Sequence, residues 1–145
     1  MTYTYAYPRP SVTVDIIIID PFQTPQHLLL IERNNPPFAG LFALPGGFVD
    51  SDENLYDAAC RELEEETGLR DIALKQFYTF GDKGRDPRGH TVSVVYYGYL
   101  IHKDQKAVAG DDAANVKWFD ITGLPQMAFD HNKITEEFLK KIELI

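Results

Sequence analysis

The stretch from Gly47 to Leu69 constrains this chain more than any other. It reads Gly-Phe-Val-Asp-Ser-Asp-Glu53-Asn-Leu-Tyr-Asp-Ala-Ala-Cys-Arg61-Glu62-Leu63-Glu64-Glu65-Glu66-Thr-Gly68-Leu. Leu55, Ala58, Ala59 and Leu63 recur at helical spacing, which predicts an amphipathic helix over about residues 54–67. Asn54 suits the N-cap with Asp57 at N3, and Asp50 and Asp52 stand near the favourable positive end of the dipole. Gly68 suits the left-handed position that ends a helix. At 100° per residue, Glu62, Glu65 and Glu66 fall within an arc of about 100°, whereas Glu64 points away. Like charges three or four residues apart cost roughly 0.2–0.5 kcal/mol per pair in water, and more where solvent is excluded. The acidic arc borders the apolar stripe, at the edge of the core. Hard oxygen ligands gathered there suit Mg²⁺ or Mn²⁺. A bare glutamate run reads as a solvated helix face. This one comes with Gly46-Gly47, with Glu53 and Arg61 two turns apart, and with a closing Gly68.

With Gly47, Glu53, Arg61, Glu62, Leu63, Glu65, Glu66, Gly68 and Leu69 all in place, the segment resembles the signature box of the Nudix hydrolases. Those enzymes cleave a nucleoside diphosphate linked to another group. The resemblance implies an α/β fold, the Nudix-type α/β/α sandwich with a mixed β-sheet, in which the box forms a loop-helix-loop. It implies that Glu62, Glu65 and Glu66 hold the divalent metals and that the backbone carbonyl of Gly46 adds a ligand. It also implies that Glu53 pairs with Arg61 and so orients the helix and its ligands.

The rest of the chain bounds this reading. Its 145 residues predict one domain, 1–145, with no room for a second. Hydrophobic residues at 44% and charged ones at 25% are ordinary for a soluble protein. The single cysteine, Cys60, excludes an internal disulfide and is read as a packing residue. No signal peptide is visible, and the runs Ile16–Ile19 and Leu28–Ile31 are too short to span a bilayer, so the expectation is a cytoplasmic protein with no membrane partner. A net charge of −8 argues against a nucleic-acid partner, but not against a phosphorylated small ligand held beside cations.

Pattern and turn residues predict strands at Ser11–Ile19, Leu28–Glu32, Leu41–Leu44, Ile72–Phe80, Thr91–Ile101 and Val116–Asp120. Ile134–Ile142 reads as a closing amphipathic helix capped by Asp130. Pro45-Gly46-Gly47 reads as the turn that ends the third strand. Mixed strands with helices after the third and at the end point to a sheet between helices.

Substrate choice rests on the loop before the fifth strand. Between Asp82 and His90 stand two glycines, a proline and three basic residues. Arg85 and Arg88 there suit a phosphate or a base, or equally a solvated loop offsetting nearby acids. Arg33, at a strand end beside the site, is a further candidate for phosphate, or equally a strand-end surface arginine. The run Tyr78-Thr-Phe-Gly, with Arg85-Asp-Pro-Arg-Gly, Val92-Ser-Val-Val-Tyr-Tyr, Gly110-Asp-Asp-Ala-Ala and Ala128-Phe-Asp-His131, is similar to one Nudix subgroup. That subgroup holds bacterial ADP-ribose pyrophosphatases and Nudix-type regulators of NAD metabolism. A proline that another pyrophosphatase group carries about fifteen residues past the box is here Gly84. The resemblance implies metal-dependent hydrolysis of ADP-ribose to AMP and ribose 5-phosphate, by a homodimer. The alternatives are another nucleotide substrate, such as a nucleotide sugar or a damaged nucleoside triphosphate, and a non-catalytic ADP-ribose sensor. For the general base the candidates are Glu66, Asp111 and Asp112. His27, His90, His102 and His131 read as surface, loop or turn residues, His90 lying nearest the substrate loop. Tyr96, Tyr97, Tyr99 and Trp118 read as core or subunit surface.

Overall fold

The computed structural model describes residues 4–22, 24–102, 104–110 and 112–143. Its central strand, β1 (Ser11–Asp20), explains the continuous apolar run in the sequence, because both of its faces are covered. Alternate side chains go to opposite sides. Val14, Ile16 and Ile18 pack with Ala58, Ala59 and Leu63 of helix α1 (Leu55–Thr67). Ile17 and Ile19 pack with Ile134 and Phe138 of helix α2 (His131–Glu143). A helix on each face of one sheet is the sandwich that the resemblance implied.

The described residues form a seven-stranded sheet. Its path runs from β3 (Phe42–Ala43) through β2 (His27–Arg33) and β1 to β6 (Thr91–Tyr99) and β5 (Lys75–Phe80). In addition β4 (Gly46–Phe48) pairs with β1, and β7 (Ala113–Asp120) with β2. β1 and β6 run parallel from Ser11↔Thr91 to Ile19↔Tyr99, and the other pairings are antiparallel. The sheet is therefore mixed, and α1 lies on the crossover that joins its parallel pair.

Three expectations are corrected. Gly46 and Gly47 are not a turn but part of β4, laid flat against β1. α2 begins at His131, three residues early, and the Asp130 carboxylate does not cap it but binds Arg85. Asn132 fastens the entry instead, accepting from Met127 N–H and donating to the Pro125 carbonyl. Asn54 does sit at the N-cap of α1, yet its amide donates to Asp57 Oδ2 rather than capping through its oxygen. The other end of α1 is as expected: Gly68 has φ 74° and its N–H returns to the Glu64 carbonyl. Full burial of side chains such as Ile16 or Leu63 contributes roughly 1.5–3 kcal/mol each. The apolar stripe thus anchors α1 and leaves its acidic arc for other work. Among the described residues no helix is long and apolar enough to cross a membrane.

Candidate active site

The site begins with a close approach of backbones. Ile16 N–H bonds the Pro45 carbonyl and Val49 N–H the Val12 carbonyl, so in this register Asp15 and Gly46 face each other without bonding each other. Gly46 therefore turns its N–H and C=O away from β1, towards α1. The N–H donates to Glu66 Oε1 at 2.8 Å, and the carbonyl aims to the same side. Backbone excludes a side chain at Gly46, and at Gly47 one would displace the Glu62 carboxylate. A Cβ on Gly46 would strike the Val14 carbonyl and the Asp15 carboxylate, and one on Gly47 would lie 2.6 Å from the Glu62 carboxylate.

Arg61 organises the carboxylates of α1. Its Nε and Nη2 grip Glu53 in bidentate fashion at 2.7 and 2.9 Å, as expected. Its Nη1 donates to Glu62 at 2.8 Å and Glu65 at 3.2 Å, and Nη2 also reaches the Phe48 carbonyl. The Arg61 hydrogen bonds, with the Asp50 N–H, hold the Glu53 carboxyl down at about 2. Bonding to Glu53 raises Arg61 in turn. Burial pushes Glu62 up, partly offset by Arg61. Burial also lifts Glu66 to about 8, against the Gly46 N–H and with help from Glu62, Asp15 and Asp112. Among the described residues no three Asp, Glu, His or Cys side chains converge on one point. The reason is local: Arg61 holds Glu62 and Glu65, the latter more than half exposed, and Gly46 holds Glu66. The donor set still fits a hard divalent cation. It is all oxygen, the Gly46 carbonyl lies on the same side of β4, and two of its carboxylates carry a burial penalty that a cation would relieve.

A cavity of about 470 Å³ opens beside this helix edge, with Gly46, Gly47, Glu62 and Glu66 on one wall. The sequence-predicted Arg33, Arg85, Arg88 and Asp112 line the rest. Glu65, Arg61 and Glu53 stand outside the lining, and Asp111 lies outside the described residues. Arg33 bonds the Pro37 and Asn35 carbonyls, and burial and the charge of Arg88 keep its pKa below the usual value. Arg88 forks onto Asp86. Burial opposes ionisation of Asp86, but these bonds outweigh it and hold the carboxyl low. Arg85 is different. Its buried guanidinium clamps Asp130 at 2.7 and 2.8 Å and donates also to Thr91 and Ser93, so its donors tie the loop to α2.

The NUDIX domain family model matches residues 9–141. The chain belongs to the Nudix family. It is 42% identical over 134 residues to an ADP-ribose pyrophosphatase of Methanocaldococcus jannaschii, covering 92% of this chain and 76% of that one. It is 34% identical over 139 residues to the ADPR-responsive transcriptional repressor NtrR of Acinetobacter baylyi, covering 94% of this chain but 56% of the repressor. The NUDIX domain of Shewanella oneidensis NrtR, solved with ADP ribose, superposes with a TM-score of 0.82 at 32% identity, covering 94% of this chain and 91% of that one.

This Nudix domain also gathers Asp15, which the sequence reading passed over, and His131, which it took for a turn residue. Asp15, buried in β1, and His131, the first residue of α2, both line the cavity. His131 Nδ1 accepts the Leu44 N–H at 3.0 Å, which leaves Nε2 facing Asp15 Oδ1 at 3.8 Å. Burial holds the imidazole below its usual pKa although Asp15 pulls the other way. Thr13 and Ser93 bond each other across the β1–β6 pair on the same face. One signal was available: Asp15 is the only acid in the run Val12–Ile19. Phe48 and Phe129, the aromatic lining, carried none. The His90 ring bonds the Gly81 carbonyl, and His90 does not line the cavity. Cys60 packs on the α1 side of the core with its thiol pushed up by burial, which fits a packing role.

Proposed function

We propose that this Nudix domain, acting as a single unit over residues 1–145, hydrolyses ADP-ribose to AMP and ribose 5-phosphate with Mg²⁺ or Mn²⁺. The observation that carries the proposal is the cavity itself, with carboxylates and an aimed carbonyl on one wall and two arginines on another. The kinship with the Methanocaldococcus pyrophosphatase supports the choice of substrate. Glu62, Glu65, Glu66 and the Gly46 carbonyl are the residues that would hold the cations. Bound there, a divalent cation supplies positive charge to the diphosphate and acidifies water.

The chain's own residues do the rest. Arg33 and Arg88 take non-bridging phosphate oxygens on the side away from the carboxylates. Arg61, fixed by Glu53, keeps Glu62 and Glu65 aligned with the cavity edge. Water attacks one phosphorus, the bond to the bridging oxygen breaks, and that oxygen leaves with the other phosphate. Asp112, exposed on the cavity rim, accepts the proton of the attacking water, since Glu66 is held by Gly46 and assigned to a cation. The proposed assembly is a homodimer, which light scattering checks.

Chromatography of ADP-ribose incubated with the protein, with and without Mg²⁺, tests the function. AMP and ribose 5-phosphate appearing only with metal is the expected result. Intact ADP-ribose that nevertheless raises the melting temperature would favour a sensor.

A further inference from the structure

The turn into α2 holds a residue that the proposed chemistry does not use. Phe129 has φ 53°, in the left-handed region that bulky side chains rarely adopt. Its ring meets Phe38 edge-on at 4.9 Å, and Phe38 itself has φ 62°. Two strained phenylalanines locked together require surroundings that over-determine them, and such strain gathers at functional sites.

What the strain achieves is visible in the neighbours. The Arg33 guanidinium lies 4.9 Å from the Phe129 ring centre and that of Arg88 lies 5.1 Å away. Arg88 also stacks on Phe48 at 4.9 Å. Backbone carbonyls hold Arg33 by Nε and Nη2, and Asp86 holds Arg88 by the same two atoms. Both forks are therefore fixed, while Nη1 of each makes no hydrogen bond among the described residues. Two like charges share one ring, and Asp86 neutralises only one of them. The surplus positive charge faces a cavity whose opposite wall is acidic. An anion bound on the arginine side meets the first need, and the cations that the acidic wall would hold would meet the second.

We propose that Phe129 is a positioning residue that sets Arg33 and Arg88 as a pair for the outward-facing oxygens of the diphosphate, and so governs affinity without touching the bond that breaks. This rests on the diphosphate reading of the cavity. Removing the ring weakens binding, not the chemical step. Glycine at this position also relieves the left-handed backbone, whereas leucine does not.

The test is steady-state kinetics with ADP-ribose and Mg²⁺, together with melting temperatures, for Phe129→Gly, Phe129→Leu and Phe129→Tyr. The expected result is a KM raised about tenfold in the glycine and leucine variants with kcat within about twofold of the parent. Leucine lowers the melting temperature more than glycine, and tyrosine restores both KM and stability. A glycine variant whose KM stays within about twofold of the parent overturns the inference, as does a kcat that falls as far as KM rises. Calorimetry with inorganic pyrophosphate in EDTA separates this inference from the proposed function. A parent that binds pyrophosphate about tenfold more tightly than Phe129→Gly supports the role of Phe129 even if ADP-ribose is not hydrolysed. Equal pyrophosphate affinity overturns it.

Discussion

Replacing Glu66 by glutamine is expected to remove a pH dependence from the stability of the metal-free protein. Burial lifts the Glu66 carboxyl to about 8 from its usual 4.5. Between those values the folded chain keeps a proton that the unfolded chain has released. Stability therefore falls as pH rises through this window, at about 1.4 kcal/mol per pH unit, and levels off above the folded value. From pH 6 to pH 8.5 the linkage relation gives a loss of about 2.5 kcal/mol for this group alone. Glutamine cannot titrate, yet its amide oxygen still accepts the Gly46 N–H that Glu66 accepts at 2.8 Å. Glu62 is raised in both proteins and cancels in the comparison. Urea unfolding in EDTA at the two pH values provides the assay. The parent loses about 2.5 kcal/mol more than Glu66→Gln, and saturating Mg²⁺ abolishes the parent's loss because a cation replaces the proton. Parallel losses in the two proteins without metal would refute the reasoning.

Gly47→Ala places a methyl group 2.6 Å from the Glu62 carboxylate. Turnover should fall at least about a hundredfold while urea unfolding shows a loss of only about 1–3 kcal/mol. Arg61→Lys keeps the charge but loses the fork that grips Glu53, and kcat should drop about 10–100-fold with the fold retained by circular dichroism. Arg85→Ala strands the partly buried Asp130 carboxylate and should cost about 3 kcal/mol in urea. The double variant Arg85→Met with Asp130→Leu should recover most of that, and no recovery would show that the ion pair is not the cause.

The sequence made the carboxylate wall legible because helical spacing is local. Glu62, Glu66 and Gly68 take their places on one helix and its C-terminal cap, and Glu53, just before the N-cap, reaches Arg61 on that helix. The strands other than β4 were legible for the same reason, to within a few residues, whereas β4 was read as a turn. The opposite wall was only partly legible. Arg33 and Arg88 are distant in the chain and meet through Phe129, whose φ of 53° no propensity announces. Arg85 resembled Arg88 in sequence, but its partner, Asp130, lies 45 residues away, and that pairing turned a candidate ligand contact into a tether. His131 and Asp15 were hidden likewise, one in a turn and one in an apolar strand, until packing brought them together.

The C-terminal end of α1 has one further implication. Its last carbonyls do not face water: Val108 N–H bonds the Thr67 carbonyl, Gly110 N–H bonds that of Glu66, and Gly110 has no space for a Cβ against Glu65. The chain leading to Asp112 is thus stitched, at Val108 and Gly110, to the helix that carries Glu62 and Glu66. A residue added after Val108 would therefore shift the proposed proton acceptor relative to the metal-side carboxylates, whereas one added before Val108 leaves the stitch in register.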